Sequence, residues 1–387
     1  MRYCIPPLIL LPLLWLVSAS CGGEGQISEN SPPDYAPSTF SRLPDFRSKA
    51  SHSEPPPRKV PPRSTPTRVW TAPEGEELNC GNTQIPFTFQ PLNQHYTLNN
   101  AFWMMWFNKR AASEQREETL RELQSVGFEE NHFIDAPDDA LTVLVSSNPQ
   151  GILVAFHTDS NLVDWLANLQ FGQVSGAEHD VQGRIHRGIT ELLNRHWPYI
   201  IARITLNQGE ENLPIWLTGH GTGGALATLA AARVANLGYP LGPLYTYGAP
   251  RIGDSDFATD LQQQTNDQHY RLVNEADLIA RLIPSGSSGA EAAEAIFPGQ
   301  EEEGAQYLQE LDYLHGGVMY RMETSDTVTV FPAMQEIEDR VYWTGVEDQG
   351  LREMMVTWAQ EKRHRNSTYL CRLRTLRRAL GEWPESF

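Results

Sequence analysis

The glycine-rich segment at residues 219–224 reads GHGTGG and comes close to a known reactive pattern. In the pattern G-x-S-x-G, a serine on a sharp strand-to-helix turn attacks a carbonyl carbon. Gly219 and Gly223 occupy the two glycine positions here, but Gly221 occupies the serine position. Glycine has no side chain, so this position supplies no nucleophile. The alternatives are a glycine-rich strand–helix turn without a chemical role and an anion-binding nest at a helix N-terminus.

The flanking residues predict the elements that would position such a turn. Residues 215–218, IWLT, form a short apolar run typical of a buried strand. Residues 225–234 are rich in alanine and leucine, which favour a helix. Glycine at positions 219 and 223 permits a close backbone approach where the strand turns into the helix.

Residues 215–254 resemble the core of the class 3 (fungal-type) lipase family, whose turn usually reads GHSLGGALA. The family's next strand ends in YGxPRxG, and residues 247–254 read YGAPRIGD. The resemblance spans residues 92–371 and implies an α/β-hydrolase fold, a single domain with a mostly parallel central sheet flanked by helices. Further motifs match in the family's order at residues 96–101, 183–188, 273–279, 313–317 and 364–370.

The resemblance also implies roles for individual residues in ester hydrolysis. Asp277 matches the acid that orients the catalytic histidine, and His364 matches that histidine. A surface aspartate at a strand end and a solvent-facing helix residue are the respective alternatives. His186 and His315 match motif histidines that are structural in the family, so we assign them no catalysis.

The segment expected to stabilise the oxyanion departs from the family pattern F-R-G-T-x-S-x-x-D-W. Residues 156–165 read FHTDSNLVDW, so His157, Thr158 and Asp159 replace arginine, glycine and threonine. The backbone N–H groups of Asp159 and Thr222 are the two expected donors. An ionised carboxylate at Asp159 would oppose a developing oxyanion, and losing one donor costs roughly 2.7–4 kcal/mol in the barrier.

These departures favour a catalytically impaired lipase-like protein that binds an acyl chain, a lipid or a protein partner. The alternative is an active carboxylic-ester hydrolase that uses Thr222 as the nucleophile, or water activated by His364 and Asp277. Thr222 begins the helix after the turn, so its hydroxyl should face away from the histidine. Serine-type ester hydrolysis implies no cofactor and no metal.

The N-terminal region predicts export. Residues 1–20 have an arginine near the start and an apolar stretch of about ten residues, as in a signal peptide. The small residues before Cys21 resemble a bacterial lipoprotein signal, which implies a lipid anchor at Cys21 and a location at the bacterial cell envelope. Cleavage near Ala19 and secretion are the alternative. Residues 21–79 are rich in proline and serine and predict a tether, followed by the lipase-like domain at residues 80–387.

Charge and cysteine usage limit the partners and the compartment. The formal net charge of −18 argues against a nucleic-acid partner. The four cysteines lack the spacing of a zinc or iron–sulfur site. In an oxidising compartment, Cys80 and Cys371 either form one disulfide or remain two separate thiols.

The remaining chain alternates predicted helices and strands. Helices are predicted at residues 102–109, 116–126 and 190–206, and strands at residues 141–145 and 152–156. Pro198 predicts a kink or break in the third helix. The insertion at residues 285–310 predicts a marginal helix at residues 290–295, within either a mobile flap or a solvated surface loop.

Overall fold

The computed structural model groups the chain into two compact units, residues Met1–Pro66 and Thr67–Phe387. Every residue that the structure describes belongs to the second unit. The described residues are 68–70, 85–159, 172–209, 211–275, 277–281, 283–285, 288–296, 299–323, 328–331 and 366–379.

The described elements alternate between strands and helices along much of the chain. The strands are β1 (Arg68–Trp70), β2 (Ile85–Phe87), β3 (Glu130–Ala136), β4 (Leu141–Asn148), β5 (Gly151–Thr158), β6 (Gln173–Ser175), β7 (Arg184–His186), β8 (Ile215–His220), β9 (Leu244–Tyr247), β10 (Gly253–Asp254), β11 (His269–Asn274), β12 (Tyr313–Leu314), β13 (Val318–Met322) and β14 (Val328–Phe331). The helices are α1 (Leu98–Ala111), α2 (Arg116–Ser125), α3 (Arg187–Gln208), α4 (Thr222–Asn236), α5 (Ser255–Gln264), α6 (Gly289–Ile296), α7 (Glu301–Leu311) and α8 (Asn366–Ala379).

An eight-stranded sheet forms the centre, with the order β14-β13-β11-β9-β8-β5-β4-β3. Strands β5, β8, β9, β11 and β13 pair in parallel, whereas β3, β4 and β14 add antiparallel edges. The predicted mostly parallel sheet is therefore confirmed. A smaller sheet has the order β12-β10-β7-β6, and β1 pairs with β2.

Helices cover both faces of the central sheet because alternate strand residues point to opposite sides. On β8, Trp216 belongs to a buried cluster with side chains of α1 and α8. The next residue, Leu217, belongs to a second buried cluster with side chains of α3, α4 and α5. The two clusters hold the carboxyl ends of the parallel strands at one edge of the sheet, where ligands bind in open α/β sheets.

Helix α1 contains an uninterrupted apolar run at residues 101–107 and is buried along nearly its whole length. The Thr97 hydroxyl caps its N-terminus by accepting the Asn100 N–H at 3.0 Å. Asn108, near its C-terminus, donates through Nδ2 to the Thr218 hydroxyl of β8 at 2.8 Å. The predicted segments at residues 102–109, 116–126, 141–145 and 152–156 are confirmed as α1, α2, β4 and β5.

Pro198 was expected to cause a kink or a break, and the break is wrong, since α3 is one helix from Arg187 to Gln208. Proline removes a backbone donor to the carbonyl four residues earlier, here that of Asn194. Asn194 and Pro198 are both exposed, so water can satisfy that carbonyl. The missing hydrogen bond therefore lies on the solvent side of the helix, where it is tolerated.

The insertion contains two helices rather than a surface loop with one marginal helix. Helix α6 confirms the helix predicted at residues 290–295. Helix α7 was missed, although Glu301, Glu302 and Glu303 in its first turn favour a helix N-terminus. Its residues Leu308 and Leu311 are three positions apart and buried, so one side of α7 packs against the protein.

Cys371 of α8 is disulfide-bonded, which excludes the alternative of a separate thiol at this position. The other three cysteines, Cys4, Cys21 and Cys80, lie outside the described residues. Among the helices that the structure describes, none combines the length and apolar character needed to cross a bilayer.

Candidate functional site

The turn between β8 and α4 has the geometry of a nucleophile elbow. Gly221 lies between the strand and the helix with φ 56° and ψ −126°, a conformation that favours glycine. Its N–H donates to the Tyr247 carbonyl of the neighbouring strand at 2.8 Å. The elbow is therefore formed, and the residue at its apex has no side chain.

The flanking glycines are required by packing. A Cβ on Gly219 would lie 2.0 Å from the Gly223 carbonyl oxygen. A Cβ on Gly223 would lie 2.3 Å from the Phe156 carbonyl oxygen of β5. The spacing of these two glycines therefore fits an elbow pressed against the neighbouring strand, whatever residue occupies the apex.

The expected triad acid, Asp277, is fully buried just beyond the end of β11. Its Oδ2 accepts a hydrogen bond from the Tyr369 hydroxyl at 2.7 Å. Its Oδ1 accepts the Ile279 N–H at 3.0 Å. The alternative of a solvent-exposed aspartate at a strand end does not fit this burial.

Tyr369 of α8 links the acid to the elbow. Its hydroxyl accepts the Asn274 N–H at 3.0 Å while donating to Asp277. Burial raises the pKa of Tyr369 well above its usual value, and the nearby Asp277 carboxyl adds to this shift. The neutral phenol therefore remains a donor, and its ring packs edge-on against His220, with centroids 5.4 Å apart.

Sequence reasoning placed Tyr369 in the motif at residues 364–370 but gave it no role in the site. The usable signal was the tyrosine that closes that motif. His364, the expected base of the same motif, lies outside the described residues. Its role therefore stays a prediction.

Several buried basic side chains support the loop that carries Asp277. His315 donates through Nε2 to the Ala280 carbonyl at 3.0 Å. Arg251 donates to the Ile283 carbonyl at 2.6 Å, and Arg281 donates to the Asp277 carbonyl at 3.0 Å. Burial lowers the pKa of His315 well below its usual value, as do the charges of Arg271 and Arg251. A neutral His315 fits the structural role expected for it.

His186 also has a structural position, at the N-terminus of α3. Its Nδ1 accepts the Ile189 N–H at 3.3 Å, and its backbone carbonyl accepts the Thr190 hydroxyl at 2.8 Å. Burial lowers the pKa of His186 to about 4. A neutral imidazole caps the helix because its unprotonated nitrogen can accept a hydrogen bond.

The oxyanion side of the site is built differently from the prediction. The Asp159 N–H donates to the Ala140 carbonyl at 2.9 Å, which extends the antiparallel pairing of β4 and β5 by one residue. In this conformation, the expected Asp159 donor is already engaged. The Asp159 carboxylate lies 2.8 Å from Nε2 of His157.

The second expected donor, the Thr222 N–H, lies at the start of α4. The first amides of a helix have no acceptor within the helix. The hydrogen bonds of α4 begin with the amides of Gly224 and Ala225, which donate to the Gly221 carbonyl at 2.9 Å and 3.2 Å. The donor role of Thr222 and its alternative role as a nucleophile both remain predictions.

The mostly parallel sheet and its strand–helix elbow define the α/β-hydrolase class. Residues 153–286 match the family described as Lipase (class 3). The class 3 lipase resemblance predicted from the motifs is therefore confirmed for this segment.

Similar proteins include secreted enzymes and a phospholipase. The chain is 34% identical over 143 residues to secreted mono- and diacylglycerol lipase 1 of Fusarium solani, covering 34% of this chain and 39% of that protein. It is also 34% identical over 84 residues to a chloroplastic phospholipase A(1) of Arabidopsis thaliana, covering 21% of this chain and 19% of that protein. The chain thus spans less than half the length of these relatives.

A solved structure shows the same fold. The mono- and diacylglycerol lipase of Aspergillus oryzae superposes with a TM-score of 0.51 at 18% identity. The superposition covers 71% of this chain and 99% of the lipase.

Proposed function

We propose that this protein binds the acyl chains of lipids or lipid esters in a lipase-type cleft and forms no acyl-enzyme. The observation that carries the proposal is Gly221 at the apex of a well-formed elbow. Covalent catalysis in this fold needs a hydroxyl at that position, activated by a histidine and an oriented acid. The engaged amide of Asp159 adds support, since it removes a second part of the same chemistry.

The family match and the relatives support a lipid or acyl ester as the ligand. The proteins with lipase or phospholipase in their names share up to about a third of their residues with this chain over the matched segments. A cleft that retains the family's strand ends and elbow can still accept an acyl chain after the nucleophile is lost. Binding is therefore the function proposed, and hydrolysis is the competing candidate.

The competing candidate is an active hydrolase, favoured by the intact surroundings of Asp277. Tyr369 and Ile279 fix the position of its carboxylate with two hydrogen bonds. Such an enzyme would need water or the Thr222 hydroxyl in place of the serine. Triad knockouts retain only about 10³–10⁴-fold catalysis over water, much of it from the oxyanion hole.

The substitution Gly221→Ser tests the proposal. We expect turnover of a p-nitrophenyl ester series to appear in the variant and to be absent in the native protein. The φ of 56° at this position implies a stability cost of about 1–3 kcal/mol for the serine. Efficient hydrolysis by the native protein, unchanged in the variant, would contradict the proposal.

A second set of variants separates the nucleophile from the oxyanion defect. Adding Asp159→Thr to Gly221→Ser restores the family's residue type at that position. If the Asp159 carboxylate also opposes the developing oxyanion, the double variant should turn over the esters faster than the single variant. The variant Asp159→Thr without the serine is the matched control and should stay inactive.

We also propose that the protein is exported and anchored through Cys21. The relatives from Fusarium solani and Penicillium cyclopium are described as secreted, which supports export. The test is Cys21→Ala with fractionation of cells and medium. Release of the variant from the membrane fraction is expected, and unchanged fractionation would contradict the anchor.

A further inference from the structure

We infer that Asp159 makes the cleft selective for uncharged acyl lipids over acyl lipids with an anionic headgroup. The inference rests on the proposed acyl-binding function, because it concerns which lipids the cleft accepts. It is carried by the position, the exposure and the charge environment of this one carboxylate.

Asp159 lies beside the elbow. It is the first residue after β5, and Phe156 of that strand pairs in parallel register with Gly219 of β8. A Cβ on Gly223 would lie 2.3 Å from the Phe156 carbonyl and 3.5 Å from Cα of His157. The end of β5 therefore touches the turn that carries Gly221, and the Asp159 carboxylate lies where this strand leaves the sheet.

The carboxylate faces water rather than the protein interior. Its side chain is 74% exposed, whereas the side chain of His157 is 18% exposed. Its amide is held by Ala140, which fixes the backbone position from which the charge projects. A headgroup that approaches the elbow from solvent thus meets a charge that the fold does not bury.

Asp159 places its carboxylate at the solvent-facing end of β5. This carboxylate lies 2.8 Å from Nε2 of His157, so the two side chains act at one place.

A phosphate or carboxylate headgroup near Asp159 is repelled, whereas a glycerol headgroup is not. One unit charge several Å away near a protein surface changes affinity on the order of fivefold. The overall charge of −18 also repels anionic ligands, but that effect is spread over the molecule. A control with the same change in net charge at a distant position therefore separates the two effects.

The experiment compares two ligands with the same acyl chain, monolauroylglycerol and lauroyl lysophosphatidic acid, by isothermal titration calorimetry. The native protein should prefer the uncharged ligand. Asp159→Asn should tighten binding of the lysophosphatidic acid on the order of fivefold and leave the monoglyceride unchanged. Asp159→Glu keeps the charge and should keep the native preference.

Glu117→Gln is the matched control. Glu117 is 93% exposed on α2, a helix that contacts β3 rather than the elbow. The Glu117→Gln variant changes the net charge by the same amount as Asp159→Asn. It should leave the preference for the monoglyceride over the lysophosphatidic acid unchanged. Should Asp159→Asn fail to fold, Asp159→Thr provides the same removal of charge.

The outcomes separate the inference from the proposed function. If both ligands bind and Asp159→Asn behaves like Glu117→Gln, charge selection at Asp159 is wrong while acyl binding stands. If neither ligand binds to the folded native protein, the acyl-binding function is wrong and the inference falls with it.

Discussion

The acid side and the oxyanion side of the candidate site differ in how deeply their polar groups are buried. On the acid side, Asp277 and Tyr369 are fully buried and hydrogen-bonded to each other. On the oxyanion side, Asp159 is 74% exposed and its partner His157 lies near the surface. The family's residue types persist on the first side and have changed on the second.

This contrast suggests that burial, rather than turnover, maintains the acid side. Removing Asp277 would leave the Tyr369 hydroxyl and the Ile279 N–H without their acceptor in the interior. An unsatisfied buried group costs about 1–3 kcal/mol. A partly exposed pair such as His157 and Asp159 contributes about 0–1 kcal/mol, so its residues can change at little cost in stability. A retained triad acid is therefore weak support for catalysis.

The largest expected effect concerns the glycines of the elbow, which lies between the acid side and the oxyanion side and whose spacing is required by packing. Gly223→Ala places a Cβ 2.3 Å from the Phe156 carbonyl oxygen. We expect a loss of more than about 4 kcal/mol in the free energy of unfolding, measured by urea denaturation. Gly172→Ala is the control, since its Cβ would meet just the Arg187 side chain at 3.8 Å. Equal stability of the two variants would contradict the packing argument.

The pH dependence of stability tests whether the buried histidines are neutral in the folded protein. Burial lowers the pKa of His186 to about 4, and burial with the charge of Arg271 lowers that of His269 to about 3. The unfolded chain binds protons near pH 6.5, so stability should fall as pH drops from 6.5 towards 4. The pKa of His315 is also lowered by burial, and three such groups predict a slope on the order of 4 kcal/mol per pH unit.

Urea denaturation across this pH range measures that slope. Stability that is flat between pH 6.5 and 4.5 would show that these imidazoles do not remain neutral in the folded protein. The variant His269→Gln removes one titrating group and should reduce the slope.

Tyr369→Phe tests the hydrogen bonds of the acid side. The change leaves the Asn274 N–H without its acceptor and Asp277 without one donor. We expect a loss of about 2 kcal/mol in the free energy of unfolding. Tyr199→Phe is the matched control, because Tyr199 is 66% exposed and its change should fall within about 0.5 kcal/mol. A neutral Tyr369→Phe would remove the structural reason for keeping Asp277.

The smallest expected effect concerns the oxyanion side. His157→Gln should change the free energy of unfolding by less than about 1 kcal/mol, because the pair with Asp159 is partly exposed. Thermal or urea denaturation checks this. A loss comparable to that of Tyr369→Phe would erase the difference between the two sides.

The sequence predicted the fold and the elbow well because both depend on local patterns. The apolar run of β8 and the alanine-rich segment of α4 surround glycines whose spacing has a direct steric cause. The α3 helix was predicted with a kink or a break because the pattern shows Pro198 but not its exposure. Helix α7 was missed because its glutamates were read as a solvated segment.

The site was less predictable where tertiary pairing decides the outcome. The sequence placed Asp159 at a donor position, but it does not show that the Ala140 carbonyl already accepts its N–H. Tyr369 and Asp277 are 92 positions apart, so their hydrogen bond follows from the packing of α8 against the sheet. The replacement at Gly221 needed no structure, since the absence of a hydroxyl is visible in the sequence.

Fluorophosphonate labelling followed by intact-mass analysis tests the central claim most directly, since the reagent forms a covalent adduct with an activated hydroxyl. The native protein should remain unmodified, and Gly221→Ser should gain one adduct at residue 221. A single adduct on the native protein, mapped to Thr222 or another hydroxyl, would contradict the claim that no acyl-enzyme forms.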